Sequence, residues 1–265
     1  MPDFEGKQCP ESVFRFGLSL NPGAGGAAAL PELPEIFEML ELPGSVLETP
    51  EALHRYLKRE EFTHCDFRDL IPARLSREVT GESRAIVTEY KEQLRKLLLL
   101  ARDFGAQGVG VDPDWEVLST DHAATAVWND ILRATAGDRA LAGVTLRIPI
   151  RIPGASGRAA AEMLPWLHRL ANYRLAPVPD INPHELLNRK IDWDAVLEPF
   201  RFEVDTVRFC YESELGNRLL YSHVAAILQC LRRWRRELAI YLAPTGPADL
   251  KVLAELIREA EKEAA

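Results

Sequence analysis

The feature that most constrains this chain is an alternation of short apolar segments with helical segments, repeated eight times along 265 residues. Alternation of this kind implies parallel strands joined by right-handed crossovers. Eight such units in a chain slightly longer than the ~250 residues typical of the architecture favour a single closed (β/α)8 barrel. The predicted strands are Phe14–Leu20, Ser45–Glu48, Phe62–Asp66, Gly108–Val111, Gly143–Ile150, Tyr173–Val178, Thr206–Tyr211 and Leu238–Leu242.

The segments between these strands have helical periodicity or capping residues. The strongest is Ser83–Phe104, where apolar residues repeat at spacings of three and four and Gly105 ends the helix. The other predicted helices are Leu33–Leu42, a helix capped by Thr49 that runs to Lys58, Asp121–Ala136, Gly157–Ala171, Trp193–Glu198, Leu219–Arg236 and a last one from Pro247 onward. We predict one domain over residues 1–265, with residues 1–12 as an N-terminal extension.

An open doubly wound sheet is the alternative architecture. It would carry a dinucleotide-binding turn after the first strand, and the segment Asn21–Gly26 is glycine-rich. This segment lacks the third glycine at the GxGxxG spacing, and such a motif is weak evidence by itself. The closed barrel is therefore the preferred prediction.

Charge and hydropathy exclude several classes of partner. The net charge of −8 argues against nucleic-acid binding, which needs a basic face. No apolar run approaches the ~18 residues of a membrane helix, and the first ten residues lack a signal-like apolar core. The four cysteines form no CxxC pair and are expected to be reduced thiols. We therefore expect a cytoplasmic protein with no nucleic-acid or membrane partner.

Three segments are informative when they are taken together. Phe16–Ser19 lies in the first strand, Glu89–Val111 combines a long helix, a glycine turn and a strand followed by Asp112-Pro113, and Leu175–His184 contains Asp180. They resemble the xylose-isomerase-like barrels, a family that includes sugar-phosphate isomerases and epimerases and the type IV apurinic endonucleases. The resemblance implies the barrel fold and a small sugar-like ligand.

The resemblance also implies a divalent metal held by a Glu, an Asp, a His and a second Glu at successive strand ends. Asp180 matches the Asp, but His184 lies four residues on instead of two. The fifth strand has the cations Arg147 and Arg151 where the first Glu is expected, and Ile240–Ala243 in the eighth strand has no acid. We therefore expect no cofactor, and a divalent metal is disfavoured.

The predicted strand ends still carry candidate site residues. Asp180, His184 and Glu212 are the catalytic candidates, because carboxylates and an imidazole can supply an acid and a base. The substrate-binding candidates are the polar residues Arg147, Arg151, Asp112, Glu116 and Arg208. Arginine can hold a carboxylate or a phosphate through two hydrogen bonds. Internal pairing of Arg147 and Arg151 with Asp112 or Asp180, and a surface position for His184, stay open as alternatives.

Two functions remain open at this point. One is a sugar or sugar-phosphate isomerase or epimerase in which arginine or backbone groups stabilise the enediolate. The other is a non-catalytic or metal-independent barrel that acts as a small-molecule-binding or scaffold subunit. A DNA-repair endonuclease is disfavoured by the six scattered histidines and the negative net charge. Assembly into a homo-oligomer also stays open.

Overall fold

Eight parallel strands close into a barrel in the order in which they occur along the chain. The structure is a computed structural model that describes residues 14–20, 36–48, 62–71, 84–113, 118, 120–152, 158–170, 174–181, 191–211, 217–234, 236–244 and 249–264. The strands are β1 (Phe14–Ser19), β2 (Phe37–Pro43), β3 (His64–Arg68), β4 (Gly108–Gly110), β5 (Thr145–Ile152), β6 (Leu175–Ile181), β7 (Thr206–Tyr211) and β8 (Leu238–Pro244). Pairing of β8 with β1 closes the ring and confirms the predicted (β/α)8 architecture.

Six α-helices lie in the described ranges: α1 (Arg84–Asp103), α2 (His122–Gly137), α3 (Arg158–Leu170), α4 (Trp193–Leu197), α5 (Asn217–Arg232) and α6 (Asp249–Ala264). Asp121 caps α2 as predicted, because its carboxylate accepts hydrogen bonds from the backbone amides of Ala123 and Ala124. Gly105 follows α1 with a φ angle of +81°, a conformation that glycine adopts without strain. None of the described helices is long and apolar enough to cross a membrane.

The prediction for the second strand was wrong. The segment predicted as the helix Leu33–Leu42 contains β2, and Gly44–Glu48, which overlaps the predicted strand Ser45–Glu48, forms a short 3-10 helix. The segment Phe37–Pro43 has Glu38 and Glu41 among apolar residues without regular alternation, and Ile36, Phe37 and Leu40 also fit the spacing of one helix face, so periodicity does not distinguish strand from helix here. Pairing settles the conformation, since Leu40 is opposite Leu18 on one side and Cys65 on the other. The predicted helix between Thr49 and Lys58 lies outside the described residues.

The apolar core lies between the strands and the surrounding helices. Successive side chains of a strand point to opposite faces, so one set faces the helices and the other faces the barrel interior. Phe67, Ile148 and Phe209 belong to the buried apolar set, together with Trp128 and Leu94 of the helices. Interiors of such barrels are usually filled by layers of branched aliphatic residues.

Buried charged residues occupy much of this barrel's interior instead. The charged side chains with almost no exposure are Glu41, Asp66, Arg147 and Arg208, which come from β2, β3, β5 and β7. Buried charges need partners, because an unpaired ion in the interior is costly. Their pairing therefore organises the candidate site. Among the cysteines, Cys65 and Cys230 are buried free thiols. The residue 1–12 extension lies outside the described part of the chain.

Candidate functional site

One buried ion pair closes the N-terminal side of the barrel interior. Arg147 Nη1 donates a hydrogen bond to Asp66 Oδ2, and Tyr241 Oη donates to the same oxygen at 2.8 Å. The backbone amides of Gln107 and Gly108 donate to Asp66 Oδ1 at 3.0 and 2.9 Å. Gln107 precedes β4 and Gly108 begins it, so these two donors lie on the N-terminal side of the barrel, whereas Asp66 itself is the register partner of Glu41 on β2.

The Asp66 carboxylate is held ionised by its neighbours. Burial would raise its pKa, but the charge of Arg147 and the hydrogen bond from the Gly108 amide outweigh burial, so the pKa lies below its ordinary value. Burial and the adjacent Asp66 raise the pKa of Tyr241, which keeps its hydroxyl protonated and able to donate. The cluster is therefore a fixed ion pair with a neutral phenol.

His64 borders the same cluster. Its Nε2 lies 3.7 Å from Asp66 Oδ2 and 3.5 Å from Tyr241 Oη. Burial lowers the pKa of His64, and the opposing effect of Asp66 does not fully compensate. The imidazole is therefore neutral at neutral pH.

A second buried pair lies nearer the C-terminal mouth. Arg208 donates two hydrogen bonds to the carboxylate of Glu41, from Nε to Oε2 at 2.9 Å and from Nη2 to Oε1 at 2.6 Å. Its Nη1 lies 3.4 Å from Asp180 Oδ2. The side chain of Asp180 is 19% exposed, whereas those of Arg208 and Glu41 are 7% and 1% exposed. Asp180 is thus the member of the trio that is most accessible to a ligand.

The charges of this trio are coupled. Burial would raise the pKa of Glu41, but the charge and hydrogen bonds of Arg208 lower it below its ordinary value. Burial would lower the pKa of Arg208, but Glu41 and then Asp180 raise it instead. Arg208 is therefore a permanent cation and Glu41 a permanent anion at neutral pH.

The structure brings together only part of the predicted set. Asp180 and Arg208 are in contact, and Arg151 is exposed at the register position opposite Asp180. Arg147, predicted to bind substrate, instead pairs internally with Asp66, and its Nε lies 3.9 Å from Asp205 Oδ1; the pairing left open by the sequence was with Asp112 or Asp180. Asp112 follows β4 and is half-buried.

The remaining candidates, His184, Glu212 and Glu116, lie outside the described residues. Sequence reasoning missed Glu41, because its segment was assigned to a helix. Met39 and Glu41 share a face only if the segment is a strand, so no separate sequence signal identified Glu41 as an interior carboxylate.

The described residues do not fit the divalent ion that the family resemblance implies. Glu41 and Asp180 both contact Arg208, and Ala243 of β8 provides no side-chain ligand. A divalent ion about 4 Å from the guanidinium would be repelled by roughly 8 kcal/mol at an effective dielectric constant of about 20. Within the described ranges, no group of three or more His, Cys, Asp and Glu side chains is placed to hold a metal ion.

Comparisons with known proteins identify the fold. No family model and no curated protein matches the sequence. A D-tagatose 3-epimerase-like protein superposes with a TM-score of 0.65 at 13% identity, covering 95% of this chain and 100% of its own. The 3-keto-D-glucoside 4-epimerase of E. coli gives 0.60 at 13% identity, covering 93% and 100%.

A xylose isomerase domain protein of Alicyclobacillus acidocaldarius is also similar, with a TM-score of 0.59 at 10% identity over 93% of this chain and 99% of its own. At identities this low, the structural similarity establishes the fold but not the reaction, which has to be inferred from the residues of the site. The chain has the fold of the xylose-isomerase-like barrels, as the sequence resemblance predicted.

Proposed function

We propose that this barrel is an isomerase or epimerase that acts on a sugar or sugar phosphate bound at its C-terminal mouth. One observation carries the proposal: the accessible carboxylate of Asp180 lies 3.4 Å from the guanidinium of Arg208, which Glu41 holds in place. A base beside a fixed cation is the minimum equipment for proton transfer next to a carbonyl group. The structurally similar epimerases named above support the sugar class as an analogy.

Each residue of the trio has a distinct part in this proposal. Asp180 removes the proton from the carbon beside the carbonyl, and the electron pair of the broken C–H bond forms the enediolate. Arg208 donates N–H hydrogen bonds to the oxygen that becomes negative, which stabilises charge where it develops. Return of the proton to the opposite face gives the epimer, and its delivery to the neighbouring carbon gives the isomer. Glu41 keeps the guanidinium oriented.

Arg151 and two residues outside the described ranges complete the proposed site. Arg151 is exposed on β5 at the register position beside Asp180, where it could bind a phosphate or carboxylate of the substrate. His184 and Glu212 follow β6 and β7 in the sequence, so they are the proposed second acid or base. Asp112 and Glu116, which follow β4 in the sequence, remain substrate-binding candidates.

Proton exchange with solvent tests this proposal without knowledge of the product. The full chain is incubated in D2O with ketoses, aldoses and their phosphates, and 1H NMR follows loss of the signal from the proton beside the carbonyl. We expect exchange with at least one compound and a decrease of about 100-fold or more in Asp180→Asn, in line with the usual size of general-base effects. The matched control is Asp103→Asn on the exposed surface of α1, which should exchange at the wild-type rate.

If Asp180→Asn exchanges the proton at the wild-type rate, the assignment of Asp180 as the base is refuted.

The second candidate function is a non-catalytic binding barrel, and it has its own supporting observation. Arg147 and Arg208 are both neutralised by buried carboxylates, as in a structural network. If the barrel only binds sugars, addition of a sugar should raise the melting temperature of the protein, and no proton of that sugar should exchange with solvent. The cytoplasmic location, the absence of nucleic-acid and membrane partners, and the oligomeric state stay predictions of the sequence.

A further inference from the structure

The geometry points to Arg208 as a built-in cation that takes the place of a divalent metal ion in this barrel. Ligand oxygen atoms would accordingly bind to a guanidinium, and no divalent ion would bind between Glu41 and Asp180. The inference does not depend on catalysis, since it concerns which ion the interior accommodates.

Arg208 is positioned to reach carboxylates on two different strands. Arg208 is on β7, and its register partners are Asp180 on β6 and Tyr241 on β8. Glu41 is on β2, separated from β7 in the ring by β8 and β1. The side chain therefore crosses the interior to reach its second carboxylate. The guanidinium contacts the carboxylates of Glu41 and Asp180, so a metal ion bound by the same two groups would have to displace it.

The guanidinium of Arg208 is rigidly attached to Glu41. Two hydrogen bonds to one carboxylate fix the plane of the guanidinium as well as its position. The group is buried, so leaving its place would expose Glu41 as an unpaired interior charge. Arg208 is thus anchored to the framework, in contrast to a surface side chain that could swing aside for an ion.

The donor count indicates the class of ligand. A guanidinium has five N–H groups, and Arg208 directs three of them to Glu41 and Asp180. Two donors remain beyond those that the described carboxylates accept. One of these is on Nη1 and the other on Nη2, and each can donate to a ligand oxygen atom such as that of a hydroxyl, carbonyl or carboxylate group.

Manganese binding to the full chain tests the inference. After treatment with EDTA and dialysis, the protein is titrated with Mn²⁺, and electron paramagnetic resonance measures the free ion. We expect no stoichiometric binding by the wild type. Arg208→Gln removes the cation that contacts both carboxylates, and the more distant charge of Arg68 remains near Glu41. The two freed carboxylates are hard oxygen ligands, so the Mn²⁺ affinity should increase at least tenfold. The double variant Asp180→Asn/Arg208→Gln should lose that gain.

A matched control separates this site from a general loss of positive charge. Arg151→Gln makes the same substitution at an exposed arginine on β5, and this variant should gain no Mn²⁺ affinity. Circular dichroism monitors folding of each variant. If Arg208→Gln does not fold, Arg208→Lys keeps the cation and should remain free of Mn²⁺, as should the wild type.

Two results would overturn the inference. One is wild-type protein that binds one Mn²⁺ per chain and loses it in Asp180→Asn. The other is a folded Arg208→Gln variant whose Mn²⁺ affinity does not change. Neither result would by itself refute isomerase activity, which proton exchange measures separately. Likewise, absence of exchange with every sugar would leave the manganese prediction standing.

Discussion

The ring of Tyr241 lies directly against Gly17, so closely that a Cβ atom on Gly17 would stand 2.6 Å from Tyr241 Cε1. The two residues are opposite each other in the pairing of β1 with β8. Tyr241 cannot retreat freely, because its hydroxyl donates to Asp66 inside the barrel. The absence of a side chain at position 17 is therefore what admits the phenol into the interior network.

Gly17→Ala should destabilise the protein for this reason. The added methyl group would force the ring and the Asp66 cluster to shift, and overpacking of this kind usually costs about 1–3 kcal/mol. Urea denaturation gives the change in free energy of unfolding. The matched control is Gly137→Ala at the end of α2, where a Cβ atom meets nothing within 4 Å. That variant should be neutral or slightly stabilising, since alanine favours helix.

Arg147→Met should destabilise the chain more strongly. The substitution preserves much of the side-chain volume but leaves Asp66 buried without its cation, which typically costs about 3–5 kcal/mol. The double variant Asp66→Asn/Arg147→Met should lose less than the sum of the two single losses, because no unpaired charge remains. Arg151→Met, at an exposed position of the same strand, should change stability by less than about 0.5 kcal/mol. Additive losses in the double variant would contradict the pairing.

The pH dependence of stability should show the contribution of His64. Burial holds its folded-state pKa below the ordinary value of 6.5, so the unfolded chain binds more protons as the pH falls through that value. Stability should therefore decrease as the pH is lowered from 7 through 6.5 toward the lower pKa of the folded state. His64→Gln should flatten this part of the profile, as measured by melting temperature at a series of pH values. An unchanged profile would show that His64 does not titrate differently on unfolding.

The barrel could be predicted because strand and helix alternation is a local property of the sequence, visible even where individual motifs are weak. The error at β2 has a physical cause: the consecutive residues Met39 and Leu40 are both buried, so apolar and polar residues do not alternate, and pairing with β1 and β3 decides the conformation. Such pairing is invisible in a short window of sequence.

The candidate site was predictable only in part, because its partners are distant in the sequence. Position near a strand end identified Asp180 and Arg208 separately as site candidates, and only the structure shows that they are in contact. Glu41 and Arg208 are 167 residues apart, and nothing local to either residue indicates the other. Arg147 was predicted to bind substrate, and only the structure shows that its side chain is buried and paired with Asp66, which is 81 residues away in the sequence.

The two arginine–carboxylate pairs make this interior an unusual starting point for redesign. Aliphatic layers tolerate many substitutions if the total volume is kept, because dispersion contacts have no preferred direction. Here each arginine requires a negatively charged side chain of the right length and orientation at one position of another strand. A new ligand site grafted into this barrel would have to exchange residues two at a time, Glu41 together with Arg208 or Asp66 together with Arg147, so that the lumen stays electrically balanced.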